Sequence, residues 1–356
     1  MAIQSQNISQ ALQQALADAF EQAQPLQLRG SGSKAFLGSS AEGQPLDVTG
    51  HRGVINYEPR ELVITVRAGT PLGELETLLA AEGQMLPFEP PHFGAAATLG
   101  GTVACGLSGP RRPYTGALRD FVLGTTLVNG RGQVLRFGGE VMKNVAGYDV
   151  SRLMVGAMGT LGLLLDVSMK VLPRPEQECT LVQELEPGQA IERANRLAAT
   201  PLPLSGACYD GLRLYLRLSG SGQGVEAARR SLGGEALPAD DPFWSRLREQ
   251  ELPFFDSALP LWRLSVPATT PPLDLPGKQL IDWGGAQRWL VSEVAPETIL
   301  QAAARHGGHA RRYRGGDAQS RASTLPAEPV MKLHRQLKQA FDPKAILNPG
   351  RLFPEL

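Results

Sequence analysis

Of the 40 glycines in this 356-residue chain, 24 fall between Gly30 and Gly162. Glycine takes about one position in six inside that window and about one in fourteen outside it. A residue without a side chain, able to enter left-handed backbone conformations, serves tight strand turns and places where backbone lies directly against a ligand. The excess belongs to one region. Glycine and proline together make about 19% of the chain, short of the roughly 25–30% of a low-complexity segment. With 42% hydrophobic and 20% charged residues, the chain is expected to be globular, with two domains of ordinary size and a substantial core. Leu172-Pro173-Arg174-Pro175 breaks any regular element, so the first domain is expected over 1–174 and a second over 175–325, followed by a C-terminal segment, 326–356.

Charge and cysteine usage remove several function classes. Thirty-five Lys and Arg balance thirty-five Asp and Glu, leaving no positive excess to neutralise the phosphates of a nucleic acid. Cys105, Cys179 and Cys208 are the three cysteines, with no CxxC pair, which argues against a disulfide framework, a zinc ribbon or an iron-sulfur cluster held by this chain alone. The start, MAIQSQNISQALQQ, lacks the basic and apolar stretches of a signal peptide, and no run approaches the ~20 apolar residues of a membrane span. The expected location is cytoplasmic, with attachment to the inner face of the cell membrane only through partners.

Hydrophobic spacing gives the coarse elements. Ile8, Leu12, Leu16 and Phe20 recur every four residues, which predicts a helix over 8–22. Within the glycine window alternation dominates: Leu62 to Val66, Phe121 to Val128 and Gln133 to Phe137, the last two flanking the turn signal Asn129-Gly130, then Leu163 to Val171. Thr70 as cap, Pro71 at the first position and Gly83 beyond the end predict one short helix, and Asp149 to Met158 another. After residue 180 the pattern reads strand, helix, two strands and two helices, then strands near 261–267, 278–283 and 287–293, a helix at 296–306 and a strand at 309–314. These are two loosely repeated halves around an antiparallel sheet. Ala327 to Phe341 is expected to be helical with Val330, Leu333, Leu337 and Phe341 on one side.

Three stretches carry the chemistry. Gly30-Ser31-Gly32-Ser33-Lys34 follows a strand, and consecutive N–H groups in such a loop can curl toward one pyrophosphate. Gly30-x-Gly32-x-x-Ala35 superficially fits the nicotinamide-binding fingerprint, but Gly38, Gly43 and Pro45 prevent the helix which that motif must open. A simple strand-to-strand loop is the alternative reading. Thr98 to Gly109 consists almost entirely of small residues, and Lys143 to Asp149 leads through Gly156 to Gly162 into a strand. Three glycine-rich crossings suit a long ligand such as a dinucleotide; close packing of two backbones would ask for the same residues.

RGSGSK, LPFEPPHFGAAATLGG, GLSGPRRPYTGALRDFVLGTTLVNG, KNVAGYDVSR, GAMGTLGLL and FDPKAILNPGRLF, in that order, resemble the vanillyl-alcohol-oxidase-type FAD flavoproteins, and within them the FAD-binding subunits of bacterial glycolate oxidase, also called glycolate dehydrogenase. The likeness is strong over about residues 25–173 and clear in the last fifteen. It implies an α+β chain: a two-lobed FAD-binding domain, an α+β antiparallel-sheet cap on the substrate side, and a C-terminal segment that returns to the FAD domain. It also implies non-covalent FAD, with Gly30, Ser31, Gly32, Ser33 and Lys34 on the pyrophosphate; Thr98, Gly100, Gly101, Gly106 and Ser108 along the ribityl chain and pyrophosphate; Gly159, Thr160 and Gly162 by the adenosine half; and Asn348 and Arg351 in the returning segment. The implied partners are a paralogous FAD subunit and an iron-sulfur subunit.

A flavin that oxidises a 2-hydroxy acid needs a cation for the carboxylate and a base for the hydroxyl proton. Candidate cations are Arg111, Arg112, Arg311, Arg312 and Arg314; candidate bases are His92, Tyr114, Tyr148 and His334. Tyr148, His334 and Arg314 head these sets, and the catalytic residue stays unassigned. Gly307 and Gly308 separate His306 from His309, which reads as a helix end before a strand, so no metal is expected. The His-Glu-His pattern of related D-lactate and D-2-hydroxyglutarate dehydrogenases is absent. The expected function is FAD-binding subunit of a complex oxidising glycolate to glyoxylate. The alternatives are a non-catalytic FAD-bearing or electron-relay subunit and a stand-alone D-2-hydroxy-acid dehydrogenase.

Overall fold

The computed structural model describes residues 3–39, 42–139, 149–316 and 323–356. Contacts divide the chain into two compact units. The first comprises Met1–Ser108, Ala117–Arg174 and Pro326–Leu356; the second comprises Gly109–Gly116 and Pro175–Leu325. The class is α+β. Tyr148, with the rest of residues 143–148, lies outside the described residues.

The first unit is built on a five-stranded antiparallel sheet in the order Val54–Glu58, Val63–Arg67, Leu163–Lys170, Val122–Val128 and Val134–Gly138. Alternating side chains give that sheet an inner face, where Ile64, Val66, Val167 and Met169 are fully buried. The helix Leu72–Ala81 brings Leu72, Leu75 and Leu79 to the same core, each worth ~1.5–3 kcal/mol of apolar burial. Thr70 does not cap that helix, whose N-cap Pro71 makes no side-chain bond; the Thr70 hydroxyl accepts instead from the Gly53 amide at 2.9 Å. A smaller layer pairs Leu26–Arg29 in parallel with Gln44–Asp47. The helix Ser9–Glu21 packs Leu12 and Leu16 into this layer's core together with Ile346 and Leu347.

The small-residue run Leu99–Cys105, assigned no regular element from its pattern, is a helix, capped by Thr98 at its start and by left-handed Gly106 at its end. On the helix Glu328–Phe341, Leu337 and Phe341 pack against the core, but Val330 and Leu333 are 45% and 59% exposed. The apolar side expected there is buried only in its C-terminal half.

The second unit is one eight-stranded antiparallel sheet in the order Glu235–Ala236, Gln177–Glu184, Arg213–Gly220, Leu204–Tyr209, Lys278–Asp282, Gln287–Val291, Leu261–Ser265, His309–Arg314. The helices Pro187–Ala198 and Gly222–Leu232 cover one half of it through Ile191, Ala194 and Val225. The helix Pro296–Arg305 covers the other through Ile299 and Ala303, packed on Trp262, Leu264 and Ala310. Gly109–Gly116 belongs to this unit although both neighbouring stretches belong to the first. Trp283 Nε1 donates to Gly109 O at 3.0 Å, Arg111 pairs with Glu178, and Arg112 stacks 4.3 Å from the Trp283 ring centre. Among the described residues no helix is long and apolar enough to cross a membrane.

Candidate functional site

The C-terminal segment organises the site. Lys338, on the helix Glu328–Phe341, is buried and donates to Asp342 Oδ2 at 2.7 Å, Leu347 O at 2.8 Å and Thr160 O at 2.9 Å. Asp342 in turn accepts from the amides of Ile346 and Leu347 at 3.1 and 2.7 Å. The chain thereby bends so that Leu26 N donates to Ile346 O and Asn348 N to Leu26 O, a single parallel bridge between Leu26 and Leu347. Asn348, left-handed at φ 43°, then bridges two loops: Oδ1 accepts from Leu28 N and Nδ2 donates to Met158 O, both at 2.7 Å. Arg351 donates to Ser39 O at 2.7 Å and Ala35 O at 3.1 Å, fixing the far side of the glycine loop. Burial holds the Arg351 guanidinium below its ordinary pKa, opposed by Cys105 and reinforced by Arg29.

These braces bound a cavity of about 650 Å³, well inside the ~300–1,000 Å³ range of small-molecule and cofactor sites. Its wall includes Gly30 to Ala35, Thr98, Gly100, Gly101, Gly159, Gly162, Asn348 and Arg351. The glycines there have no room for more. A Cβ on Gly30 would sit 2.5 Å from Thr98 Oγ1; one on Gly159, at φ +73°, would sit 2.6 Å from Asn348 Nδ2. Gly32 differs: it is left-handed at φ +78° and nothing lies within 4 Å of its Cβ position. Among the described residues the backbone N–H groups of Gly30, Ser31 and Gly32 have no protein acceptor, so three donors line the wall unspent. Arg29, Lys34 and Arg351 outweigh Asp47 in the lining, and Lys34 is buried with Nζ 3.1 Å from His92 O. Unspent amides and excess positive charge around a long, glycine-walled space suit an extended ligand carrying a diphosphate.

Over 348 residues, 98% of both chains, the sequence is 52% identical to the glycolate oxidase subunit GlcE of Escherichia coli (strain K12). The chain belongs to the GlcE family. Residues 7–138 match the model of an FAD binding domain, and residues 324–352 match that of the C-terminal domain of FAD linked oxidases. The cofactor of this GlcE-family chain is FAD, and its class is FAD-dependent hydroxy-acid oxidoreductase. It is also 32% identical over 160 residues to the glycolate oxidase subunit GlcD of Bacillus subtilis (strain 168), covering 44% of this chain and 34% of that one. The D-lactate dehydrogenase of Archaeoglobus fulgidus is 26% identical over 81% of this chain and 76% of its own. Two structures of alkyldihydroxyacetonephosphate synthase share the fold at TM-scores of 0.66 and 0.68 and 17% identity, covering 96% of this chain and 75% of each of theirs.

Three residues expected at the cofactor do not line the cavity and have structural tasks instead. Gly106 ends the helix Leu99–Cys105, Ser108 Oγ accepts from Leu118 N at 3.0 Å, and Thr160 Oγ1 donates to Ala157 O at 2.7 Å. The lining also includes Cys105, Ala68, Met154 and Met158. Cys105 and Met158 lie within the small-residue stretches read from the sequence, whereas Ala68 and Met154 gave no signal there.

The catalytic candidates fall in both units. His334 packs edge-on against Phe353 at 5.1 Å, away from the lining residues, and Arg314 lies in the second unit over Tyr313 at 5.9 Å, its pKa lowered by burial. His92 Nε2 is 3.1 Å from Glu76 Oε2. Tyr114 is pushed to a higher pKa by burial and then by Asp282. His306 ends a helix and His309 opens a strand; among the described residues no three His, Cys, Asp or Glu side chains could hold a metal ion.

Because Arg351 ties the glycine loop to the C-terminal segment, Arg351→Met is expected to weaken FAD binding about tenfold or more, as charge-assisted bonds of ~1.5–3 kcal/mol are lost. Fluorescence titration of the apoprotein with FAD measures this.

Proposed function

We propose that this chain is a flavin-carrying subunit of a glycolate oxidase complex. The observation that carries the reading is the convergence of two glycine-rich segments, the loop around Gly159 and Asn348 on one cavity, in a chain 52% identical to a glycolate oxidase subunit. The amides of Gly30 to Lys34 hold the pyrophosphate. Thr98, Gly100 and Gly101 lie along the ribityl chain, where the missing side chains permit close approach. Gly159 and Gly162 flank the adenosine half, and Asn348 fixes both walls. The unit of Met1–Ser108, Ala117–Arg174 and Pro326–Leu356 is the cofactor domain, and Gly109–Gly116 with Pro175–Leu325 is the cap.

When bound, FAD would supply the two-electron acceptor that oxidation of glycolate to glyoxylate requires. The chain's own part is to bind the flavin, hold it in one orientation and exclude bulk water from it. Cys208 is fully buried and no CxxC pair occurs, so onward electron transfer runs through partner chains: a paralogous FAD subunit and an iron-sulfur subunit. The complex works in the cytoplasm and reaches the inner membrane face through those partners.

Purification of the full chain under gentle conditions is expected to retain about one FAD per chain. Anaerobic glycolate added to the assembled complex is expected to bleach the visible absorbance of the oxidised flavin. A chain that neither retains nor rebinds FAD contradicts the proposal. Bleaching of the isolated chain shows that it oxidises glycolate itself; bleaching only within the complex assigns it the relay role.

A further inference from the structure

The eight-stranded sheet carries an arrangement that folding alone disfavours. Arg263 and Arg311 stand directly opposite each other on neighbouring antiparallel strands. Trp262, Leu264 and Ala310 belong to the core packed by the helix Pro296–Arg305, so strand alternation puts both arginines on the other face. Like charges directly opposite destabilise a sheet, and neither arginine has an acidic partner among the described residues. Arg112 adds a third cation: its guanidinium and that of Arg263 stack 4.3 and 5.0 Å from the centre of the same Trp283 ring.

Arg263 is held in place without being neutralised. Its Nε donates to Gln287 Oε1 at 2.7 Å, and Gln287 Nε2 donates to Asp282 Oδ2 at 3.2 Å. Asp282 also accepts from Trp283 N at 2.7 Å. The side chain is thus aimed by a relay that uses its Nε and leaves the Nη pair, the fork that matches a carboxylate, without a protein acceptor. Burial first and Arg311 second lower the Arg263 pKa to about 10; Tyr313 opposes them, Arg112 adds to the lowering and Asp282 opposes it least. Beside Arg311 on the same face, His309 is pushed below its ordinary pKa by burial, Arg263 and Arg311.

We infer that the Arg263–Arg311 pair is the binding site for the carboxylate of a small 2-hydroxy acid, with Gln287 as the residue that positions Arg263. The inference rests on the glycolate oxidase reading and names where, in this chain, that substrate's carboxylate is received. A bound carboxylate screens the two like charges and takes the unused fork of Arg263 in bidentate fashion.

The test is calorimetric titration of the FAD-loaded full chain with glycolate, with uncharged ethylene glycol as the control. The wild type is expected to bind glycolate and not ethylene glycol, Arg263→Gln to bind at least tenfold more weakly, and Arg311→Gln to weaken binding in the same direction. FAD content is expected to stay unchanged in both variants. Melting separates a binding role from a structural one: Arg311→Gln relieves a repulsion, so its Tm should be equal to or above that of the wild type. No glycolate binding by the FAD-loaded wild type, equal binding of ethylene glycol, or an Arg263→Gln affinity within twofold of wild type each overturns the inference. FAD content reports separately on the cofactor reading; a chain that never loads FAD contradicts that reading and not this one.

Discussion

Gly32→Glu is expected to yield a folded chain that carries less than about a tenth of the wild-type flavin. Nothing lies within 4 Å of the Cβ position at Gly32, so the new side chain enters open space and displaces no protein atom. That space is bounded by the unspent amides of Gly30 and Ser31 and by Lys34. A glutamate there puts a carboxylate where a pyrophosphate belongs; two unit charges 4 Å apart repel by about 4 kcal/mol at an effective dielectric near 20, enough to weaken binding by about three orders of magnitude. The left-handed φ of +78° adds a folding cost of ~1–2 kcal/mol for a residue such as glutamate. Gly32→Asn is therefore the companion variant: asparagine tolerates this conformation and brings no charge, so it should retain most of the flavin. FAD released by heat and measured by absorbance checks both.

Lys338→Met should be the most destabilising single change in the C-terminal segment. Lys338 and Asp342 are both buried, and the ammonium satisfies Thr160 O and Leu347 O as well as the carboxylate. Burial lowers the Lys338 pKa, and Asp342 only partly offsets this, so the pair is a costly arrangement that is tolerable only while complete. Removing one partner leaves an uncompensated charge and two orphaned carbonyls, at a cost of about 3–5 kcal/mol. For a unit of this size that lowers the melting temperature by roughly 6–20 °C. The loss should extend to the cofactor, because Asn348 and Arg351 reach the cavity wall only through the bend that Asp342 fixes. Thermal unfolding with and without added FAD measures both effects, and the stabilisation that FAD provides should shrink in the variant.

How much of this was legible in the sequence depended on whether a role used backbone or long-range register. A cavity wall made of main chain leaves its mark as missing side chains, so Gly30, Gly32, Gly100, Gly101 and Gly159, which line it, stand out in the sequence. The same mark fits a helix cap or a tight crossing, which is why Gly106 could not be told apart from them. Ser108 and Thr160 look like phosphate or ribose ligands in a one-dimensional reading, but their hydroxyls serve Leu118 N and Ala157 O. Helical spacing located Glu328–Phe341 but not its burial: Val330 and Leu333 share the apolar side of Leu337 and Phe341, yet the core meets only the last two. The membership of Gly109–Gly116 in the second unit rests on Trp283 and Glu178, 174 and 67 residues distant from their partners. Arg263 was silent for the same reason, since its position opposite Arg311 is set by strand register alone.

Hydrogen exchange of the full chain with and without FAD tests most directly the claim that these separate segments make one flavin site. FAD is expected to slow exchange of the amides in 30–35, 98–101 and 158–162, and of 347–351 in the C-terminal segment, while leaving the strands Leu261–Ser265 and His309–Arg314 with their cofactor-free rates. Protection confined to other segments, or flavin bound at full stoichiometry with no slowing at Gly30, Ser31 and Gly32, would contradict it.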